Sequence, residues 1–147
     1  MIDSVLDYRI TLLNKIGIEI NDKQKVLDAG CGDGGDTVLL AKDAKKIIGI
    51  DINVHPNWSK IKKNNIEFKK ADVCNLPFNS CKFDVIFIKD VLHHVGKPEK
   101  ALEEIKRVVK NNGIIIIVEA NRFNPILYLH MTLMLGHQHF TRGFFIK

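Results

Sequence analysis

The sequence predicts an α/β domain, a doubly wound and mainly parallel sheet lying between two helical layers. Three observations predict it. Short runs rich in Ile and Val alternate along the chain with segments of helical periodicity. Those runs are nearly continuous in apolar residues, as strands buried on both faces are. The junctions carry Gly, Asn, Asp and Pro, the residues that end strands and helices. At 147 residues, 46% hydrophobic and 27% charged, the chain has the size and composition of one globular domain. It contains no internal repeat and no low-complexity linker. We therefore read residues 1–147 as a single domain, with a lead-in (1–23), a core (24–120) and an apolar tail (121–147).

The lead-in places Val5, Leu6, Ile10, Leu13 and Ile16 at near-helical spacing, and Gly17 is its expected stop. Lys25 to Ala29 is the first strand, and Gly35 to Lys42 begins the first helix. Lys46 to Asp51 is a second buried strand, and Pro56 to Asn64 is expected as a short helix with proline in its first turn. Ile66 to Lys70 alternates, as a strand near a sheet edge does. Phe83 to Ile88 is the fourth strand. Pro98 to Lys110 is a helix expected to turn Leu102, Ile105 and Val109 to one face. Asn111-Asn112-Gly113 is the turn before a fifth strand, Ile114 to Glu119. The tail then carries an apolar stretch, Ile126 to Leu135. It is shorter than the roughly 20 residues a bilayer span requires, so it is expected to pack on the sheet or on a second copy, to cover an apolar substrate, or to touch a membrane surface.

The chemistry concentrates at the carboxyl ends of the strands, where ligands sit in doubly wound sheets. The first strand runs into Asp28-Ala29-Gly30-Cys31-Gly32-Asp33-Gly34-Gly35. A strand, a bare turn and a helix start form a cradle for a nucleotide-like cofactor. Gly30, Gly32 and Gly35 fit the dinucleotide pattern G-x-G-x-x-G, while Gly30, Gly32 and Gly34 fit a tighter one. Spacing alone leaves open both cofactor types, and also a turn that merely packs helix on strand. Asp51 follows the second strand, about 20 positions beyond Gly30, where a carboxylate can accept from a ribose diol. Asp72 follows the third strand, placed to accept from an adenine amino group with Val73 beside it. Asp28 is unfavourable next to a pyrophosphate but compatible with a ligand carrying an ammonium and a sulfonium.

Val26 to Gly34, Gly49-Ile50-Asp51, Ala71 to Phe78 and Phe83 to Ile86 occur in this order at the usual separations. Together they resemble the class I S-adenosylmethionine-dependent methyltransferases, and Leu92 to Val95 and Glu104 to Gly113 resemble later segments of the small-molecule members. The resemblance covers about residues 24 to 120. It implies a Rossmann-like methyltransferase fold, S-adenosylmethionine as cofactor and S-adenosylhomocysteine as product. It also implies that Gly30, Cys31, Gly32 and Gly34 form the turn around the methionine part, with Asp28 organising that turn and its contacts to the amino group, as part of the cofactor site. Asp51 would hold the ribose, Ile52 would pack on the adenine, and Asp72 and Val73 would take the adenine edge. Lys89 and Asp90 would close the pocket near the methyl group. A base is needed only for an acceptor that arrives protonated; His93, His94 and Glu119 are the candidates by position.

The remaining features narrow the function. The net charge of +5 comes from scattered lysines without interleaved aromatics, which argues against a nucleic-acid partner. Cys31, Cys74 and Cys81 are an odd, sparse set, expected as reduced thiols in the cytoplasm, and the first residues do not read as a signal peptide. Cys74, Cys81, His137 and His139 lack zinc-site spacing, so no metal is expected. The family usually continues beyond the fifth strand with a helix and an antiparallel strand pair. The chain therefore reads as C-terminally shortened, with an exposed sheet edge that the tail or a homodimer would cover. The expected partner is a small-molecule methyl acceptor, and the tail favours an apolar one. Two other readings stay open: a cofactor-binding module without turnover, and a nicotinamide-dependent oxidoreductase.

Overall fold

The computed structural model describes residues 17 and 19–119; the predicted lead-in helix, the apolar stretch 126–135, His137 and His139 lie outside the described residues. Five parallel strands, β1 (Lys25–Ala29), β2 (Lys46–Asp51), β3 (Ile66–Lys70), β4 (Phe83–Lys89) and β5 (Val109–Val118), form one sheet in the order β3-β2-β1-β4-β5. The chain winds outward from β1 to β3, then returns to place β4 on the other side of β1. The ends of β1 and β4 therefore flank the point where the winding reverses, which in such sheets opens a crevice.

Two helices cover opposite faces, α1 (Gly35–Leu40) and α2 (Pro98–Val108). Leu27, Ile48, Ile50, Ile86 and Ile88 pack beneath Ala101, Ile105 and Val108 of α2. Val26, Ile47, Val85 and Phe87 face the other way, against Leu40 of α1 and the following Ala41 and Ala44. Neighbouring residues of one strand thus enter different layers, which is why the runs show no polar alternation. The predicted three-layer, doubly wound α/β fold is the fold observed. No helix among the described residues is long and apolar enough to cross a membrane.

The structure corrects four details. The stripe that α2 buries is Ala101, Ile105 and Val108, whereas Leu102 is 41% exposed and Val109 already belongs to β5. The small Ala101, fully buried, lets the helix approach the sheet, and that choice rotates the stripe by one residue. The α2 carbonyls of Arg107 and Val108 accept the N–H groups of Cys81 and Lys82, which ends the helix two residues earlier than expected. The turn at Asn111-Asn112-Gly113 lies inside β5 as an irregularity: Val109 pairs with Phe83 but Ile114 pairs with Val85, so five positions of β5 face two of β4. Finally, the expected helix from Pro56 to Asn64 is a 3₁₀ segment, Pro56–Lys60, opened by His55 Nδ1 accepting from Asn57 N. Ile61 is extended because its side chain turns in towards Gly34.

Both sheet edges are instructive. β3 lies at the sheet edge as expected, half-buried over Ile66–Phe68 and exposed at Lys69 and Lys70 with no alternation in burial. β5 is paired on one side among the described residues, and Ile114, Ile115 and Ile117 are 38%, 39% and 45% exposed.

Candidate functional site

A cleft of about 1030 Å³ opens across the carboxyl ends of four strands. Its lining follows the strand order. Ala71, Asp72, Val73 and Cys74 come from the end of β3, Asp51, Ile52 and Asn53 from β2, and Gly30, Cys31 and Gly32 from β1. Lys89, Asp90, Val91, His94 and Val95 come from β4 and the turn beyond it. With inter-strand spacings of about 4.8 Å, the cleft spans about 14 Å from β3 to β4.

The glycine loop is held by backbone bonds: Gly30 N and Cys31 N both donate to Ile50 O, at 2.8 and 2.9 Å. Gly30 is required by a close approach, since a Cβ there would lie 2.1 Å from Cγ2 of Val91. Gly34 does not line the cleft. It caps α1 with φ of 90°, and a Cβ on it would fall 2.7 Å from Cζ of Phe68. Phe68 in turn stacks on Trp58 with ring centroids 5.1 Å apart, and the Trp58 indole donates to Gly32 O at 2.8 Å. The loop is therefore braced from the β3 side by an aromatic pair. The alternation around Phe68 and the single tryptophan were visible in the sequence, but no local motif linked them to the glycines.

Asp28 also stands outside the cleft. It is 2% exposed, beneath the loop, and accepts from Thr37 Oγ1 at 2.6 Å, which ties the end of β1 to α1. Cys31 lies against this layer; burial, followed by the nearby Asp28 and Asp51 charges, pushes its thiol well above the ordinary range. Such surroundings disfavour the thiolate, the form in which a cysteine attacks. Cys74 is likewise raised, by burial and then by Asp72.

Asp51 is half-buried and fixed by two backbone donors: Gly32 N bonds its Oδ2 and Asn53 N its Oδ1, each at 3.0 Å. Each oxygen has two acceptor sites, so one remains on each. That arrangement can accept from two adjacent hydroxyls. Ile52 beside it is 60% exposed, an unusual position for a large apolar side chain unless a ligand covers it. Asp72 is exposed at the cleft, with Oδ1 accepting from Cys74 N at 2.8 Å, and Val73 forms buried wall. The loop carrying them is pinned by Glu104 and Arg107 of α2. Arg107 bonds both Glu104 oxygens and the carbonyls of Leu76 and Phe78, and Glu104 accepts from Leu76 N at 2.7 Å.

At the far end, Lys89 pairs with Asp36 of α1, Nζ to Oδ2 at 3.3 Å. Asp90 takes φ of 53°, a left-handed conformation that aspartate tolerates, and this turns the chain into a 3₁₀ segment, Leu92–His94. The two histidine rings lie against each other, centroids 4.0 Å apart, but their other contacts differ. His94 lines the cleft, whereas His93 is held by Glu119, Nδ1 to Oε2 at 2.6 Å. Glu119 Oε1 also accepts from Val91 N and Leu92 N, at 3.0 and 2.8 Å. Of the three candidate bases, Glu119 is thus a clamp on this turn, His93 is its partner, and His94 is the one that meets the cleft.

Comparisons with known proteins bear on the same region. A family model described as a methyltransferase domain matches residues 27–117. A demethylmenaquinone methyltransferase of Lactobacillus johnsonii is 32% identical over 133 residues, covering 83% of this chain and 54% of that protein. An uncharacterised protein of Methanocaldococcus jannaschii is 39% identical over 121 residues, covering 82% of this chain and 51% of its own length. Among solved structures, a SAM-dependent methyltransferase from Aquifex aeolicus superposes with a TM-score of 0.60 at 30% identity, over 68% of this chain and 57% of that one. The chain spans about half the length of the relatives it matches.

Proposed function

The chain belongs to the methyltransferase-domain family, the class I S-adenosylmethionine-dependent methyltransferases, and on that premise we propose that its cleft binds S-adenosylmethionine and directs the methyl group to a small-molecule acceptor. The observation that carries this reading is Asp51. Its two backbone bonds hold the carboxylate at the cleft wall and leave one acceptor site on each oxygen, the pattern a ribose diol needs. The residues around it fit the rest of the ligand. Ile52 offers an exposed apolar face to the adenine, and Asp72 offers an acceptor to its amino group beside the wall formed by Val73. Gly30, Cys31 and Gly32 present backbone rather than charge to the amino-acid part, with Lys89 and Asp90 at that end.

When bound, S-adenosylmethionine supplies a methyl group already activated by a sulfonium. The protein's task is therefore alignment more than acid catalysis: a fixed loop and a shaped cleft would hold the reactants in line. An acceptor with an ionisable proton would give it to His94, which lines the cleft on a turn held by Glu119. Val91 and Val95 near His94 make that end partly apolar and support an apolar acceptor, as does the name of the demethylmenaquinone relative. Three free cysteines support a reducing, cytoplasmic setting.

The test is titration calorimetry with S-adenosylhomocysteine. Asp51→Ala is expected to weaken binding at least tenfold, about 1.4 kcal/mol, and an unchanged affinity overturns the ribose assignment. Binding of a nicotinamide dinucleotide in its place would assign the cleft to an oxidoreductase. A second reading is a cofactor-binding module. Cofactor binding without turnover on any quinone-like, phenolic or amine acceptor would establish it.

A further inference from the structure

Resting on the reading of Asp51 as the ribose contact, we propose that Trp58 is a positioning residue for the bound cofactor, its indole N–H joining the two chain segments that orient the Asp51 carboxylate. Asp51 has two backbone donors, and they come from different segments. Gly32 N, in the glycine loop, bonds Oδ2, and Asn53 N, in the segment leaving β2, bonds Oδ1. Trp58 lies farther along that second segment and donates to Gly32 O at 2.8 Å. One stretch of chain, residues 51–58, therefore grips Gly32 at both its polar groups, accepting from its N–H and donating to its carbonyl.

The glycine needs this grip. It takes φ of 51°, and a Cβ on it would meet nothing within 4 Å, so packing leaves its rotation open. Gly34 N closes the turn by donating to Cys31 O at 2.9 Å, a bond that either orientation of the Gly32 carbonyl permits. Trp58, by contrast, is firmly seated. Its ring stacks on Phe68 with the planes 9° apart. Phe68 is itself confined, since a Cβ on Gly34 or Gly49 would fall 2.7 or 2.9 Å from its ring. The indole bond thus carries the stiffness of the β3 side to a glycine that has little of its own. Through that glycine it steadies the donor on Asp51 Oδ2, and with it the direction in which the carboxylate meets a diol.

Trp58→Phe keeps an aromatic ring on Phe68 and removes the N–H donor, so it tests the bond rather than the stack. In calorimetry it is expected to weaken S-adenosylhomocysteine about fivefold. In an Asp51→Ala background the same change should cost less than about twofold, because the carboxylate that Trp58 positions is gone. In the ligand-free protein, hydrogen exchange at the Gly32 amide should be about fivefold faster in Trp58→Phe than in the unaltered chain. Unchanged affinity in Trp58→Phe overturns the proposal, and so does an unchanged Gly32 exchange rate. Equal losses in both backgrounds also overturn it, since they would give Trp58 a structural role independent of Asp51. Weak binding by Asp51→Ala beside full binding by Trp58→Phe removes the positioning role and leaves the ribose assignment standing. Full binding by Asp51→Ala removes the ribose assignment, and no binding by the unaltered protein removes the cofactor reading itself.

Discussion

The two halves of the cleft are built differently. On the β1–β3 side the loop is held by backbone bonds to Ile50 O and braced by the Trp58–Phe68 stack, with Gly34 where a side chain would collide with Phe68. On the β4–β5 side the turn after β4 is held by Asp90 N donating to Val118 O and by the Glu119 carboxylate, and the neighbouring strand leaves Ile114, Ile115 and Ile117 exposed. The first half is shaped by contacts that tolerate little change. The second relies more on side chains, and meets the first where Val91 packs on Gly30 and Lys89 pairs with Asp36. A scaffold that keeps one ligand constant while varying another would be divided in this way.

That contrast can be broken by experiment. The largest effect is expected in the rigid half. Gly34→Ala places a Cβ 2.7 Å from the Phe68 ring at a φ of 90°, and should destabilise the fold by about 2 kcal/mol or more. Urea unfolding measures it, and a loss under about 0.5 kcal/mol would show that the aromatic brace yields. The next effect concerns the knot that joins the β3 loop to α2. The Arg107 ion pair, against an opposing effect of burial and with help from Leu76 N–H, holds the Glu104 carboxyl down at about 2, below its ordinary 4.5. A carboxyl depressed on folding contributes stability that is present above about pH 4.5 and is lost as pH falls towards 2. Glu104→Gln should therefore cost about 1 kcal/mol near pH 7, and the gap from the unaltered protein should close over that acidic window. A pH-independent gap would assign the cost to packing instead.

The smallest effect is expected in the adaptable half. His94→Ala should leave S-adenosylhomocysteine affinity within about twofold, because an imidazole serving the acceptor contributes little to the bound cofactor. A larger loss by calorimetry would move His94 into the cofactor's own shell and blur the division between the halves.

Much of this was legible in the residues. The strand runs, the glycine loop and the acids Asp51 and Asp72 lie in short segments whose local pattern carries their meaning. Lys89, Asp90 and His94 were placed by the end of a recognisable strand. The failures were all long-range. Leu102 and Ala101 fit a buried stripe of α2 about equally well until the sheet's shape chose the smaller residue. Asp28 belongs with the pocket by its place at the strand end, but it accepts from the Thr37 hydroxyl, nine positions away on α1. Glu119 was read beside the histidines as a base, and only folding shows both its oxygens engaged by the turn after β4.

The sequence by itself determined the layered α/β architecture and the residues at each strand end, because periodicity and turn chemistry are local properties of the chain. The tertiary structure alone decided which of those residues meet the cleft. Strand order brings β4 beside β1, joins Lys89 to Asp36, turns His94 inward and His93 towards Glu119, and sets Trp58 behind the glycines. These are contacts between segments far apart in the chain, and they exist only once the sheet has closed.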